Sequence, residues 1–249
     1  MTVEMAEPST FVSKKQPMGF IIDRYLRRRD SGPAKLLSLL SPAEGENYLR
    51  GSWKRSLDLL ISIPAAVAAT PVIALLALAK TIEDGAPPFF VQQRTNGQDQ
   101  TITIGVIKIR SMRPHSDFGI DNLTLARGMR AREDSRNTRL GSFMRRFQLD
   151  ELPQLFQVAC GQLSLIGIRI TSPYVFDYLQ KEWPEERYER WKTYYLQGRT
   201  GLSGLNQIFG SGLKENEKRY HLDAFYAKHA SLGLDCYLIY KTLIKIFRS

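Results

Sequence analysis

Hydrophobic and polar positions are spread very unevenly along this chain. From Leu59 to Ala79 it reads LLISIPAAVAATPVIALLALA, with no charged side chain, enough apolar length to span a hydrocarbon core of about 30 Å as a helix. Two residues resist a straight helix: Pro64 and Pro71 each remove a backbone donor and disturb the preceding turn. Arg50, Lys54 and Arg55 precede the segment and Lys80 and Arg94 follow it, and positive charge on both flanks disfavours export of either one. Trp53-Lys54-Arg55 has the aromatic-plus-basic character of an interfacial anchor. A helix that enters a membrane, breaks near Thr70-Pro71 and returns reconciles these features. A single kinked span and a buried soluble hairpin are the alternatives.

Beyond this segment the pattern changes period. Pro87 to Arg94 and Thr101 to Lys108 carry β-branched and aromatic residues on either side of Asn96-Gly97, which predicts a two-stranded hairpin. Arg110 to Arg136 is polar and irregular, a loop with a little helix. Leu152, Leu155, Phe156 and Ala159 recur at helical spacing and Gly161 ends the run. A further helix is predicted over Pro184 to Leu196, and one or two amphipathic helices over Leu222 to Phe247. The first 50 residues are mixed and charged, without a secretory signal, and a short helix is expected around Phe20 to Arg29. The domain reading is therefore an N-terminal appendage (1–50), a membrane helix (51–82) and a body (83–249). The fold class is α+β, mainly α, with a small hairpin. Strand and helix do not alternate, and no glycine-rich dinucleotide or phosphate loop motif is present.

Composition narrows the partners. The 249 residues are 43% apolar and 24% charged, as in an ordinary folded protein. A net charge of +10 calls for an anionic partner: nucleic acid, anionic lipid or a phosphorylated substrate. The apolar segment speaks for a membrane and against nucleic acid. Cys160 and Cys236 are read as buried free thiols. Without a CxxC pair, and with three scattered histidines, zinc is not expected.

The candidate chemistry lies in Gln148-Leu-Asp-Glu-Leu-Pro-Gln154. Asp150 and Glu151 stand just before a predicted helix, with Pro153 suited to its first turn. Free N–H groups at a helix start keep carboxylates ionised and attract phosphate. Adjacent carboxylates repel each other, and Mg²⁺, which favours carboxylate oxygens and substrate phosphates, would relieve this. Such a pair can also be a plain helix cap, so the surroundings carry the case. Lys108 and Arg110 follow the second strand, Arg136, Arg139, Arg145 and Arg146 lead into the dyad, and Arg169 follows its helix. Converging guanidiniums suit a diphosphate; the same charges also suit a surface facing anionic lipid.

These motifs, taken in order, resemble the bacterial sugar transferase family, the monotopic phosphoglycosyl transferases. The likeness runs from Lys54-Arg-Ser-Leu-Asp58 through Thr70-Pro71, Phe90-Val-Gln-Gln-Arg94 and Lys108-Ile-Arg-Ser-Met112. It continues through Asp134 to Gly141, Arg145, Leu149 to Leu155, Gly161 to Arg169 and Gly201 to Gln207. The resemblance implies a re-entrant helix broken at Thr70-Pro71, amphipathic interfacial helices, and a catalytic body on the cytoplasmic face of the bacterial plasma membrane. It also implies transfer of a sugar-1-phosphate from a UDP-sugar to polyprenol (undecaprenyl) phosphate, starting an exopolysaccharide, an O-antigen of lipopolysaccharide, or a related glycan. Asp150 would be the nucleophile, and Glu151 would organise Mg²⁺ with it or move a proton. Lys108, Arg110, Arg145 and Arg169 would hold phosphate or uridine groups, and Arg199 and Gln207 keep the family's charge and hydrogen bonding. Homo-oligomerisation stays open. Two loops depart from the family: Gly167-Ile168-Arg169-Ile170 stands for Gly-Pro-Arg-Pro, and Arg199-Thr-Gly-Leu-Ser-Gly-Leu-Asn-Gln207 lacks a proline and a tryptophan. They motivate the alternative of a catalytically degenerate membrane scaffold.

Overall fold

The computed structural model describes residues 45–96, 99–114, 116, 136–171, 173–210 and 216–247. The short helix expected around Phe20 to Arg29, the Gly97 turn and most of the polar loop before Arg136 lie outside them. A short helix α1 (Gly45–Arg50) leads into α2 (Ser52–Asp84), followed by strands β1 (Phe89–Asn96) and β2 (Asp99–Ile109). Next come α3 (Arg139–Arg146), a 3-10 turn at Leu149–Glu151, α4 (Gln154–Ala159), β3 (Ser164–Ile166) and β4 (Ile168–Arg169). Helices α5 (Pro173–Glu182) and α6 (Glu185–Gln197), strand β5 (Thr200–Ser203), and helices α7 (Leu205–Phe209), α8 (Asn216–His229) and α9 (Leu232–Phe247) complete the body.

The apolar segment forms one helix without a gap at Thr70-Pro71. Each proline withdraws one donor, and the remaining hydrogen bonds carry the helix across. At the second proline the Thr70 hydroxyl donates back to the Ala66 carbonyl at 2.9 Å, a contact that favours bending over breaking. Gly85, at φ +68°, ends α2 by donating its N–H to Thr81 O.

Buried positions recur along α2 every three or four residues: Lys54, Asp58, Ser62, Ala66, Ala69, Ile73, Leu76 and Lys80. One stripe therefore lies on the body along most of the helix. The opposite side presents Leu60, Val67, Leu75, Leu78 and Ile82, and among the described residues α2 is the one helix long and apolar enough to cross a membrane. Such an exposed apolar face on an otherwise packed helix fits association with a membrane.

The two lysines bracketing the apolar run are not headgroup anchors. Lys54 is 0% exposed, and its three ammonium protons go to Asp58, Asp235 and the Ile166 carbonyl at 3.2, 2.7 and 2.8 Å. Asp58 also takes the Leu165 N–H and the Ser164 hydroxyl; Asp235 takes hydroxyls from Tyr48 and Tyr226. Lys80, also 0% exposed, is spent on Glu83, Asp84 and Thr138. Arg55 donates to the Val158 and Ala159 carbonyls at the end of α4. Of the expected Trp53-Lys54-Arg55 anchor, only Trp53, 72% exposed, faces outward. A buried cation needs a complete set of acceptors, and at each end of α2 the helix's own carboxylates and the body supply it together.

The hairpin forms as the pattern predicts, with β1 antiparallel to β2 and Phe90 opposite Lys108, Gln92 opposite Val106 and Arg94 opposite Ile104. Gln157 of α4 covers the edge of β2, accepting from Ile107 N–H and donating to Gly105 O.

A second sheet was not legible in the sequence. β3 and β4 lie on either side of β5, both parallel to it, and α5 and α6 make the connection from β4. Strands of two to four residues leave almost no alternating pattern to read. Their packing instead shows in glycines: a Cβ on Gly167 would sit 2.2 Å from the Arg199 carbonyl oxygen, and one on Gly201 2.1 Å from the Gly167 nitrogen.

The C-terminal helices differ from each other. In α8 every residue from His221 to Lys228 is buried, so this part of the helix is wedged inside the body and is not amphipathic. α9 buries Leu234, Asp235 and Leu238 and exposes Leu232, Tyr240 and Leu243. Cys160 and Cys236 are free but exposed, against the expectation of burial. One ends α4 and the other lies on the outer face of α9.

Candidate active site

The dyad is held by a turn clamped between the hairpin and α2. Thr138 caps α3, its hydroxyl accepting the Gly141 N–H at 3.0 Å. Helix and strand end approach so closely there that a Cβ on Gly141 would lie 1.8 Å from the Ser111 carbonyl oxygen. The chain leaves α3 through Gln148, whose φ of +57° is the positive value found at a non-glycine residue among those described. That left-handed turn costs about 1–2 kcal/mol and drops Asp150 into the body. Leu149, Leu152 and Leu155 then pack on Ala69, Ile73, Leu76, Ile109 and Met144. Helix α4 takes Pro153 as its N-cap, without a side-chain cap bond, so neither carboxylate serves as a helix cap.

Asp150 is 7% exposed. Burial, and then the neighbouring charge of Glu151, push its carboxyl above the ordinary carboxylate range; Lys108 and Arg145 oppose the shift. Lys108 pairs with Glu151 at 2.5 Å. Arg145 donates its Nε–H to the Ser111 hydroxyl at 2.7 Å, which fixes the guanidinium on the Asp150 side. The structure thus brings together four of the residues singled out in the sequence: Asp150, Glu151, Lys108 and Arg145.

The other sequence candidates sort differently. Arg110 is spent: its Nε–H goes to Pro87 O, and its four terminal N–H groups go to the Asp84 carboxylate, Met112 O and Ala86 O. All five donors thus staple the end of α2 to the hairpin. Gln207 donates to Gly201 O at 3.3 Å, its backbone carbonyl accepts from Lys245, and its buried Oε1 bonds nothing among the described residues. Arg199 immediately precedes β5, and its carbonyl accepts the Ile168 N–H at 2.9 Å. Arg169 projects an exposed side chain from β4, while Thr70 and Pro71 lie within α2. Of the arginines leading into the dyad, Arg139 is exposed, and Arg146 stands over the Phe147 ring.

Two residues near the site escaped the sequence reading. Arg94 is half-buried and within electrostatic reach of both Arg169 and Glu151; the motif Phe90 to Arg94 marked the residue without a site role, because the hairpin register decides where it lies. Asp223, in α8, accepts the Arg169 N–H at 2.9 Å and the Asn206 amide at 2.7 Å. Burial pushes its carboxyl up to about 7. Only the contact with β4 reveals it.

Among the described residues no three acidic, histidine or cysteine side chains converge on one point. Two adjacent carboxylates, one of them paired to Lys108, suit a magnesium ion that arrives on a diphosphate and takes most of its six oxygens from phosphate and water. They would not hold it alone.

The profile of the bacterial sugar transferase family matches residues 49–249. The chain belongs to this family. Proteins similar to it include an exopolysaccharide production protein of Sinorhizobium fredii, 33% identical over 202 residues covering 78% of this chain and 84% of the relative. The undecaprenyl-phosphate galactose phosphotransferase of Salmonella typhimurium is 32% identical over 78% of this chain and 40% of its own length. The UDP-glucose:undecaprenyl-phosphate glucose-1-phosphate transferase of Xanthomonas campestris is 30% identical over 76% of this chain and 37% of its own length. The chain thus spans about two fifths of the latter two relatives. The family match takes in α2 and the dyad and leaves out most of the N-terminal stretch.

Proposed function

We propose that this chain is a phosphoglycosyl transferase, moving a sugar-1-phosphate from a UDP-sugar to polyprenol phosphate through a phosphosugar ester of Asp150. The observation that carries the reading is a nearly buried Asp150 within electrostatic reach of two cations, Lys108 and Arg145, on a turn packed against an apolar helix. A carboxylate so placed is poorly hydrated, and the two cations favour its ionised form and draw phosphate to it.

In the first step an Asp150 carboxylate oxygen attacks the sugar-linked phosphorus. The bond from that phosphorus to the bridging oxygen breaks, and uridine monophosphate leaves with the electron pair. In the second step a polyprenol phosphate oxygen attacks the same phosphorus. The aspartyl ester bond breaks, the carboxylate returns, and polyprenol diphosphate-sugar is the product. Lys108 and Arg145 stabilise charge on the phosphoryl oxygens in both steps. Glu151 holds Lys108 in place. A magnesium ion carried by the donor would add charge neutralisation, with Asp150 and Glu151 as its protein ligands.

The seating of α2 supports a re-entrant arrangement over a span. Straight, its 33 residues would reach about 50 Å, well past the hydrocarbon core. Yet Lys54 and Asp58 at one end and Lys80 and Asp84 at the other bond to the same body. Placing the ends on opposite sides would drag those paired charges through lipid. A bend at Thr70-Pro71 with both ends on the cytoplasmic face avoids this. The names of the relatives point to glycan assembly at that membrane.

The test is a panel of UDP-sugars offered to the purified chain with polyprenol phosphate and Mg²⁺. Release of uridine monophosphate that requires all three supports the reading; a folded protein that releases none from any donor contradicts it and leaves the scaffold alternative.

A further inference from the structure

Exposed apolar residues continue past the end of α2. On the helix they run down one side to Leu75, Leu78 and Ile82. After the turn at Gly85 they resume at the start of β1, where Phe89, Phe90 and Val91 are all exposed. A single exposed apolar residue needs no explanation; three in a row beside an exposed apolar helix face do. Successive strand residues point to opposite faces, so this end of the hairpin leaves apolar surface uncovered on both.

The register fixes where each ring stands. Directly opposed residues of an antiparallel pair share a face, with Cβ atoms about 5 Å apart. Phe89 is opposite Ile109, which packs with Ile73 and Leu76, so this end of the hairpin rests on α2. Phe90 is opposite Lys108, whose ammonium pairs with Glu151 of the dyad. The next residue along that face, Gln92, stands opposite the buried Val106. The end of α2 and the start of β1 are also tied together. Arg110 donates its N–H to Pro88 O at 2.7 Å, and its guanidinium holds Pro87 O, Ala86 O and the Asp84 carboxylate. A 42% exposed phenylalanine is thus fixed between the apolar helix and the cation that serves the dyad.

A lipid-linked acceptor poses a problem that charged residues do not solve. Its phosphate must reach Asp150, and the isoprene units nearest the phosphate must leave lipid to let it do so. Apolar groups that leave lipid need another apolar surface, since exposing them to water is costly. Resting on the transferase reading, we infer that Phe90 is that surface: its ring covers the first isoprene units of the acceptor while the phosphate meets Lys108, and so favours an acceptor with an isoprenoid tail. An aromatic ring can also stack on the uracil of the donor. The place of Phe90, one register pair from Ile109 and α2, favours the tail.

The experiment takes the full chain in lipid nanodiscs and measures turnover against the mole fraction of undecaprenyl phosphate. It also measures single-turnover uridine monophosphate release without acceptor. Phe90→Ala is expected to raise the acceptor KM roughly 5- to 30-fold, the worth of part of an apolar ring. The donor KM and the acceptor-free release are expected to hold. Phe90→Leu, apolar but unable to stack, is expected to stay within about 3-fold of the wild type. Thermal unfolding shows whether each variant is folded, and Phe90→Gln, polar and of similar length, carries the test if Phe90→Ala is not. A folded Phe90→Ala with an unchanged acceptor KM overturns the inference. So does a rise in the donor KM alone, which would make the ring a platform for the base, or a loss that Phe90→Leu shares in full. Wild-type protein that releases no uridine monophosphate removes the transferase reading, and this inference with it.

Discussion

At Asp150 two opposing influences meet, and their balance is measurable. Burial and Glu151 raise the carboxyl's pKa, while Lys108 and Arg145 lower it. A nucleophile must be ionised, so monophosphate release should rise with pH along an acid limb lying above the ordinary aspartate value of about 4. Lys108→Met removes a cation that favours the ionised form, so the limb should move further up. Single-turnover release measured across pH checks this; a limb that stays put or moves down would contradict the electrostatic account. Dyad, Lys108 and Arg145 were legible at this scale because they sit within a few residues of strong local punctuation: a strand end and a helix start. Arg94 and Asp223 were not. Their roles come from register and from a contact across 54 residues of chain, which no local pattern encodes.

Among the elements, the hairpin, α4, α6 and the helical C-terminus follow from period and turn chemistry, and the small parallel sheet does not. Its location is instructive, because it falls in the two loops that depart from the family's proline-rich pattern. Ile168 and Thr200, which replace prolines in that pattern, are register partners in the β4–β5 ladder. The Ile168 N–H, which a proline would lack, donates to Arg199 O at 2.9 Å. Stiffness from pyrrolidine rings is thus replaced by a ladder, and the loop still presents Arg169. Sequence alone shows the loss of the prolines and not what takes their place. Ile168→Pro should therefore cost about 1–3 kcal/mol in this chain, the penalty for a buried acceptor left without its donor. Denaturant unfolding measures it; a neutral result would mean that the ladder carries none of the stiffness.

Over the whole molecule, α2 is both membrane element and scaffold. Its polar ends are buried in the body, and its middle packs on the leucines around the dyad, so the proposed nucleophile is positioned by the same helix that carries the exposed apolar face. Reading Lys54 as a headgroup anchor missed this, since an exposed and a buried lysine look alike in sequence. Lys54→Met leaves Asp58 and Asp235 without their shared cation and should destabilise the body by about 3–5 kcal/mol, seen as a lowered unfolding midpoint in nanodiscs. A loss below about 1 kcal/mol would match a surface pair instead. The central claim, that Asp150 takes up the phosphosugar, has a more direct test. The protein is incubated with a UDP-sugar carrying radioactive phosphate next to the sugar, without polyprenol phosphate, and then mapped by mass. The account predicts one phosphosugar on Asp150, discharged by adding the acceptor and absent from Asp150→Asn. Label that persists in Asp150→Asn, or maps to another residue, would contradict it.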